Sequence, residues 1–145
     1  MDICLQIRNT SENREAALTQ ARKEKIMKIR PKTIFCDIDG TLIKHHGAVS
    51  KQIAHKPEIL DGILEKLDSW DRSCYNIILT TGRKESLRDM TEKQLNSLGI
   101  IYDQLIMGLG GGTRILINDL KPDSDEPTAI AINLKRNKGI KNVDI

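Results

Sequence analysis

Aromatic side chains are scarce: one Phe, two Tyr and one Trp make up 3% of the 145 residues. The core must therefore be aliphatic, and the shortage argues against a base-stacking platform for single-stranded nucleic acid. Cysteine is scarce as well. Cys4, Cys36 and Cys74 are far apart and odd in number, and no CxxC pair exists. That spacing argues against a zinc site and fits a reducing cytoplasmic compartment. No apolar run approaches membrane-spanning length, and the N-terminus has no signal-peptide core. The expectation is a soluble cytoplasmic protein with no membrane partner. Repeats and low-complexity tracts are also lacking.

What remains is an ordinary globular balance, with 39% hydrophobic and 30% charged residues in a length suited to one core. The net charge of +3 is unevenly placed. Residues 1–32 hold eight Lys/Arg against four acids, a surplus of +4 that leaves the rest of the chain at −1. This reads as a solvated helix face or as a contact for an acidic partner. Residues 12–29 are rich in helix formers without Gly or Pro, and Pro31 ends that helix. We read 1–30 as an N-terminal helical extension and 31–145 as the main domain.

Lys32–Asp37 reads as a buried strand, and Tyr75–Thr81, Tyr102–Met107, Arg114–Asn118 and Ala129–Ile132 as four more. Pro57 opens a helix whose Ile59, Leu60, Ile63, Leu64, Leu67 and Trp70 share a face. Lys84–Leu98 forms another, with Leu87, Met90, Leu95 and Leu98 inward and Gly99 as its stop. Apolar strands alternating with helices predict an α/β fold: a three-layer, Rossmann-like parallel sheet with helices on both faces. Ligands in such sheets sit beyond the carboxyl ends of the strands. Asp37 and Asp39, Thr80 and Thr81, and Asn118 and Asp119 are then expected to converge.

Three converging carboxylates repel one another unless a cation joins them. Magnesium suits carboxylate and carbonyl oxygen and leaves room for a phosphate oxygen. Thr81 can offer its hydroxyl to a phosphoryl group. Gly82 and the helix start near Lys84 provide amide donors at the same edge.

Asp37-Ile38-Asp39-Gly40-Thr41-Leu42 resembles the first motif of the haloacid dehalogenase (HAD) superfamily, DxDGT[LVI]. Thr81-Gly82-Arg83 resembles its second motif, and Asn118-Asp119-Leu120-Lys121-Pro122-Asp123 its fourth. The resemblance covers about residues 32–135. It implies a Mg2+-dependent phosphomonoester hydrolase acting through an aspartyl-phosphate. Asp37 would be the nucleophile and Asp39 the general acid and base. Asp37, the Asp39 carbonyl and Asp119 would hold the metal, with Asp123 assisting, and Thr81 and Gly82 would bind phosphate. The second acid, Asp39, fits phosphatases and disfavours dehalogenation.

The third motif departs from the pattern. Met107–Thr113 has no lysine, so Arg114 or Lys121 is the candidate phosphate-binding cation. The run Gly108–Gly112 is no dinucleotide fingerprint, because a strand is expected after it. It reads as a flexible turn or as a close approach to substrate. Only 16 residues, Ile43 to Glu58, separate the first motif from the next helix, so no cap domain fits. In the family this region forms a small hairpin flap, which makes His45 and His46 the substrate-flap candidates. An open, capless site implies cover from the flap, the N-terminal segment or a neighbouring subunit, the last of which would make the protein a homo-oligomer. The expected substrate is a small phosphorylated metabolite such as a sugar phosphate, by fold-level analogy. The alternatives are a nucleic-acid end phosphatase, which the basic N-terminus motivates but nothing favours, and a catalytically degenerate HAD-like binding domain. A phospho-acceptor receiver fits the D-x-D-G-T spacing poorly.

Overall fold

A computed structural model describes Leu18, residues 31–123 and residues 125–145. The helix expected over 12–29 and the N-terminal extension lie outside the described residues, apart from Leu18. The chain divides into two compact units, Met1–Lys32 and Thr33–Ile145.

The elements of the second unit are β1 (Thr33–Asp37), α1 (Val49–Ala54), α2 (Ile63–Arg72), β2 (Asn76–Thr80), a 3-10 turn (Glu85–Leu87), α3 (Arg88–Ser97) and β3 (Gln104–Ile106). The strands form a parallel sheet in the order β1-β2-β3. This is an α/β arrangement with β2 at its centre. The strand β2 carries the apolar run Ile77-Ile78-Leu79, buried throughout, as a central parallel strand requires. Ile77 and Leu79 pack with Ile63, Leu67 and Trp70 of α2 and with Leu95 of α3. Each fully buried aliphatic side chain contributes about 1.5–3 kcal/mol to this core.

Three expectations need correction. The helix expected from Pro57 begins only at Ile63, because Gly62 takes a left-handed conformation (φ 70°) immediately before it. Ile59 instead pairs antiparallel with Ile43. The helix expected over Lys84–Leu98 starts with the 3-10 turn and becomes α-helical at Arg88. Most consequential, Arg114–Asn118 and Ala129–Ile132 are not strands. A strand exists only by exchanging backbone hydrogen bonds with a neighbour, and these segments pair with no strand among the described residues. Their apolar side chains face solvent, Ile115 at 79% and Ile117 at 91% exposure. As a result β1 lies at the edge of the sheet, and its Phe35 is half exposed rather than buried.

Residues near the C-terminus return to the core. Ile140 is buried in the main cluster and Val143 packs against it. Lys66 Nζ donates to the Val143 carbonyl at 2.8 Å, and Lys141 pairs with Asp61 at 2.8 Å. Among the described residues no helix is long and apolar enough to cross a membrane.

Candidate functional site

The parallel register places Asp37 opposite Thr80 at the carboxyl ends of β1 and β2. Chain direction alone therefore brings the aspartate loop and the Thr81-Gly82-Arg83 turn to one edge. Ile38, between the two aspartates, is fully buried, and its carbonyl accepts from the amides of Thr41, Leu42 and Ile43 at 3.3, 2.9 and 3.0 Å. The Gly40 amide donates to the Ile43 carbonyl at 2.7 Å, and Gly40 takes φ 90°, where a side chain would be strained. The loop that follows β1 is thus a closed turn anchored by one isoleucine.

Asp39 is held by Arg83. Nε donates to Oδ2 at 2.8 Å and Nη2 to Oδ1 at 2.7 Å, a two-pronged pair. The third nitrogen, Nη1, donates to Gln94 Oε1 at 2.8 Å and to Thr91 Oγ1 at 3.2 Å. The Arg83 side chain is only 4% exposed. Arg83 was not among the sequence candidates, although it stands in the T-G-R motif. No local pattern could have found its role, because Thr91 and Gln94 meet it only through the fold.

Asp37 meets a different cation. Arg114 Nη2 donates to its Oδ1 at 3.2 Å, and Thr41 Oγ1 to its Oδ2 at 3.5 Å. Burial pushes the Asp37 carboxyl above the ordinary carboxylate range. Arg114 pulls it down, and the negative charge of Asp39 pushes it up again. The neighbouring Cys36 thiol is pushed up to about 12, by burial first and by Asp37 second, which removes it as a thiolate nucleophile.

Thr81 is buried, and its Oγ1 accepts from the Arg83 amide at 3.1 Å. The glycine run locks onto the same turn. Gly108 N donates to the Arg83 carbonyl at 2.7 Å and Leu109 N to the Thr81 carbonyl at 3.1 Å. A Cβ on Gly82 would lie 3.2 Å from the Gly110 carbonyl oxygen, so glycine permits this approach. The run therefore serves as packing for the T-G-R turn.

Other candidates lie apart from this cluster. Asp119 pairs with Lys121 at 3.1 Å, with side chains 72% and 53% exposed. Asp123 is exposed. Among the described residues no three His, Cys, Asp or Glu side chains are grouped so as to hold a metal ion. The three-carboxylate magnesium centre is therefore not assembled. The donors do suit the lesser requirement of magnesium, one or two carboxylates with water and substrate phosphate completing the shell.

The flap is a stem with a helical tip rather than a plain hairpin. Lys44 N donates to the Glu58 carbonyl at 2.8 Å, Leu60 N to the Leu42 carbonyl at 2.9 Å, and the Lys44 and Glu58 side chains pair at 3.1 Å. Helix α1 forms the tip, tied down by Gln52, which accepts from the His46 amide at 2.7 Å and donates to the Lys44 carbonyl at 2.8 Å. His46 stacks on His55 with ring centroids 4.5 Å apart. His45 Nδ1 and His46 Nε2 are buried and have no hydrogen-bond partner among the described residues.

No protein-family model matches the chain, and no curated protein matches it. Among solved structures the chain is similar to the crystal structure of an MCSG target from Vibrio cholerae. Identity is 16%, the TM-score is 0.43, and the match covers 63% of this chain and 84% of that one. A likeness at that level bears on neither fold nor function.

Proposed function

We propose that the protein is a HAD-like, capless phosphomonoester hydrolase that works through an aspartyl-phosphate on Asp37. The observation that supports this reading best is the register Asp37↔Thr80, which puts a D-x-D-G-T loop beside a T-G-R turn at one sheet edge. Asp37 attacks phosphorus as its carboxylate, and the bond from phosphorus to the leaving oxygen breaks. Asp39 gives a proton to that oxygen. It then takes one from the water that attacks the phosphoenzyme, which frees phosphate and restores the Asp37 carboxylate. To do so Asp39 must turn one oxygen away from Arg83. In this scheme the Thr81 hydroxyl and the Gly82 amide bind the phosphoryl group. That requires the turn to open toward substrate, because Thr81 is buried. Arg114 supplies the positive charge beside Asp37. Magnesium, held by Asp37 and the Asp39 carbonyl, would supply charge neutralisation to the phosphate. Asp119, Asp123 and Lys121 have no part in this scheme. The substrate class is a small phosphorylated metabolite.

Hydrolysis of an aryl phosphate, with and without Mg2+, tests the proposal. We expect metal-dependent release of phosphate that falls about 10^3-fold or more in Asp37→Asn. Activity that survives the substitution overturns the mechanism. A second reading, a phosphate-binding domain without turnover, draws on the hold of Arg83 on both Asp39 oxygens. It predicts phosphate binding by wild type with no hydrolysis.

A further inference from the structure

We infer that Asn137 is a positioning residue that clamps the flap onto the aspartate loop and so sets the mouth of the site. The inference rests on the phosphatase reading only for what the mouth admits. Asn137 lies 92 residues from the flap residue it binds. Its side chain meets both backbone groups of His45, with Oδ1 accepting from the amide at 2.7 Å and Nδ2 donating to the carbonyl at 3.3 Å. Its own amide donates to the Gly40 carbonyl at 2.7 Å, one residue beyond Asp39. One residue thus joins the loop that carries the aspartates to the His45 end of the flap.

Asparagine suits the position for two separate reasons. Its backbone is left-handed at φ 61°, a conformation that Asn tolerates better than most residues. Its amide carries an acceptor and a donor, the complement of a peptide group. Contact around Gly40 reinforces the junction, because a Cβ there would lie 3.0 Å from Arg136 Cγ and 3.4 Å from His45 Cβ. The segment that presents Asn137 is itself anchored through buried Gly139 and Ile140. The flap is therefore referenced to the core by a second route, independent of its stem at Ile43 and Ile59.

Two variants separate positioning from simple docking of the C-terminal turn. Asn137→Gly keeps the left-handed backbone and removes both side-chain bonds. Asn137→Asp keeps the acceptor for the His45 amide and removes the donor. Hydrogen exchange at the His45 amide is read together with KM and kcat for the aryl phosphate. In Asn137→Gly we expect His45 exchange about tenfold faster or more. We also expect KM raised about tenfold, with kcat changed far less. Asn137→Asp retains the protection of the His45 amide and takes an intermediate KM. Unchanged exchange in Asn137→Gly overturns the clamp. Faster exchange with an unchanged KM overturns the positioning role. A wild-type protein that hydrolyses no phosphate ester overturns the phosphatase reading instead, and the exchange result still decides the clamp.

Discussion

Two aspartates separated by one residue have opposite surroundings. Asp37 is partly buried against one half-exposed arginine, whereas Asp39 is gripped by a buried one. For Asp37 the raised carboxyl has a consequence of defined sign. Folding holds its proton more tightly, so its contribution to stability is greatest below the ordinary carboxylate range. That contribution declines as pH rises through the raised value. In the metal-free protein Arg114→Ala should raise the Asp37 carboxyl further, as an NMR titration of its carboxyl carbon would register. For Asp39 the outcome concerns stability. Arg83→Ala strands a carboxylate and the polar groups of Thr91 and Gln94, and should cost about 3 kcal/mol in a urea titration. Asp39→Asn in the same background should return part of that loss.

At the scale of elements, what the sequence disclosed depends on how local each signal is. The run Ile77-Ile78-Leu79 is apolar with two β-branched residues, and it forms the central strand as expected. The D-x-D-G-T loop and the T-G-R turn are equally legible, because glycine and strand ends constrain backbone locally. Arg114–Asn118 has the same composition as a strand, yet pairing depends on a partner that no local pattern specifies. The expected convergence of Asp119 relied on such a partner, since a fourth strand was to deliver it to the edge that holds Asp37. The Arg83 network and the Asn137 contact were illegible for another reason: each joins residues that only the fold brings together. A smaller surprise ends α2. Cys74 adopts φ 58°, while its amide and that of Tyr75 close the last turn onto Asp71 and Trp70. Helices usually place glycine there. Cys74→Gly should therefore stabilise the fold by about 0.5–1 kcal/mol, visible as a higher denaturant midpoint at unchanged slope.

At the scale of the molecule, the described residues between 115 and 132 present an apolar surface to solvent. Ile115, Leu116, Ile117, Leu120, Ile130 and Ile132 are all exposed, and β1 lies at a sheet edge with Phe35 half exposed. Exposed apolar residues beside an unpaired edge favour self-association. Sedimentation equilibrium should show mass rising with concentration, and the double change Ile115→Glu with Ile117→Glu should suppress that rise. The Asn137 contact spans 92 residues of sequence and has a consequence in time rather than in space. A ribosome delivers Asp37 and Asp39 long before it delivers residue 137, and the loop closure between them is among the slower contacts to form. A nascent chain therefore carries Asp37 and Asp39 without the residue that fastens the His45 segment until a further 92 residues have followed His45. A chain stalled short of Asn137 leaves the ribosome without the clamp between the Gly40 turn and His45.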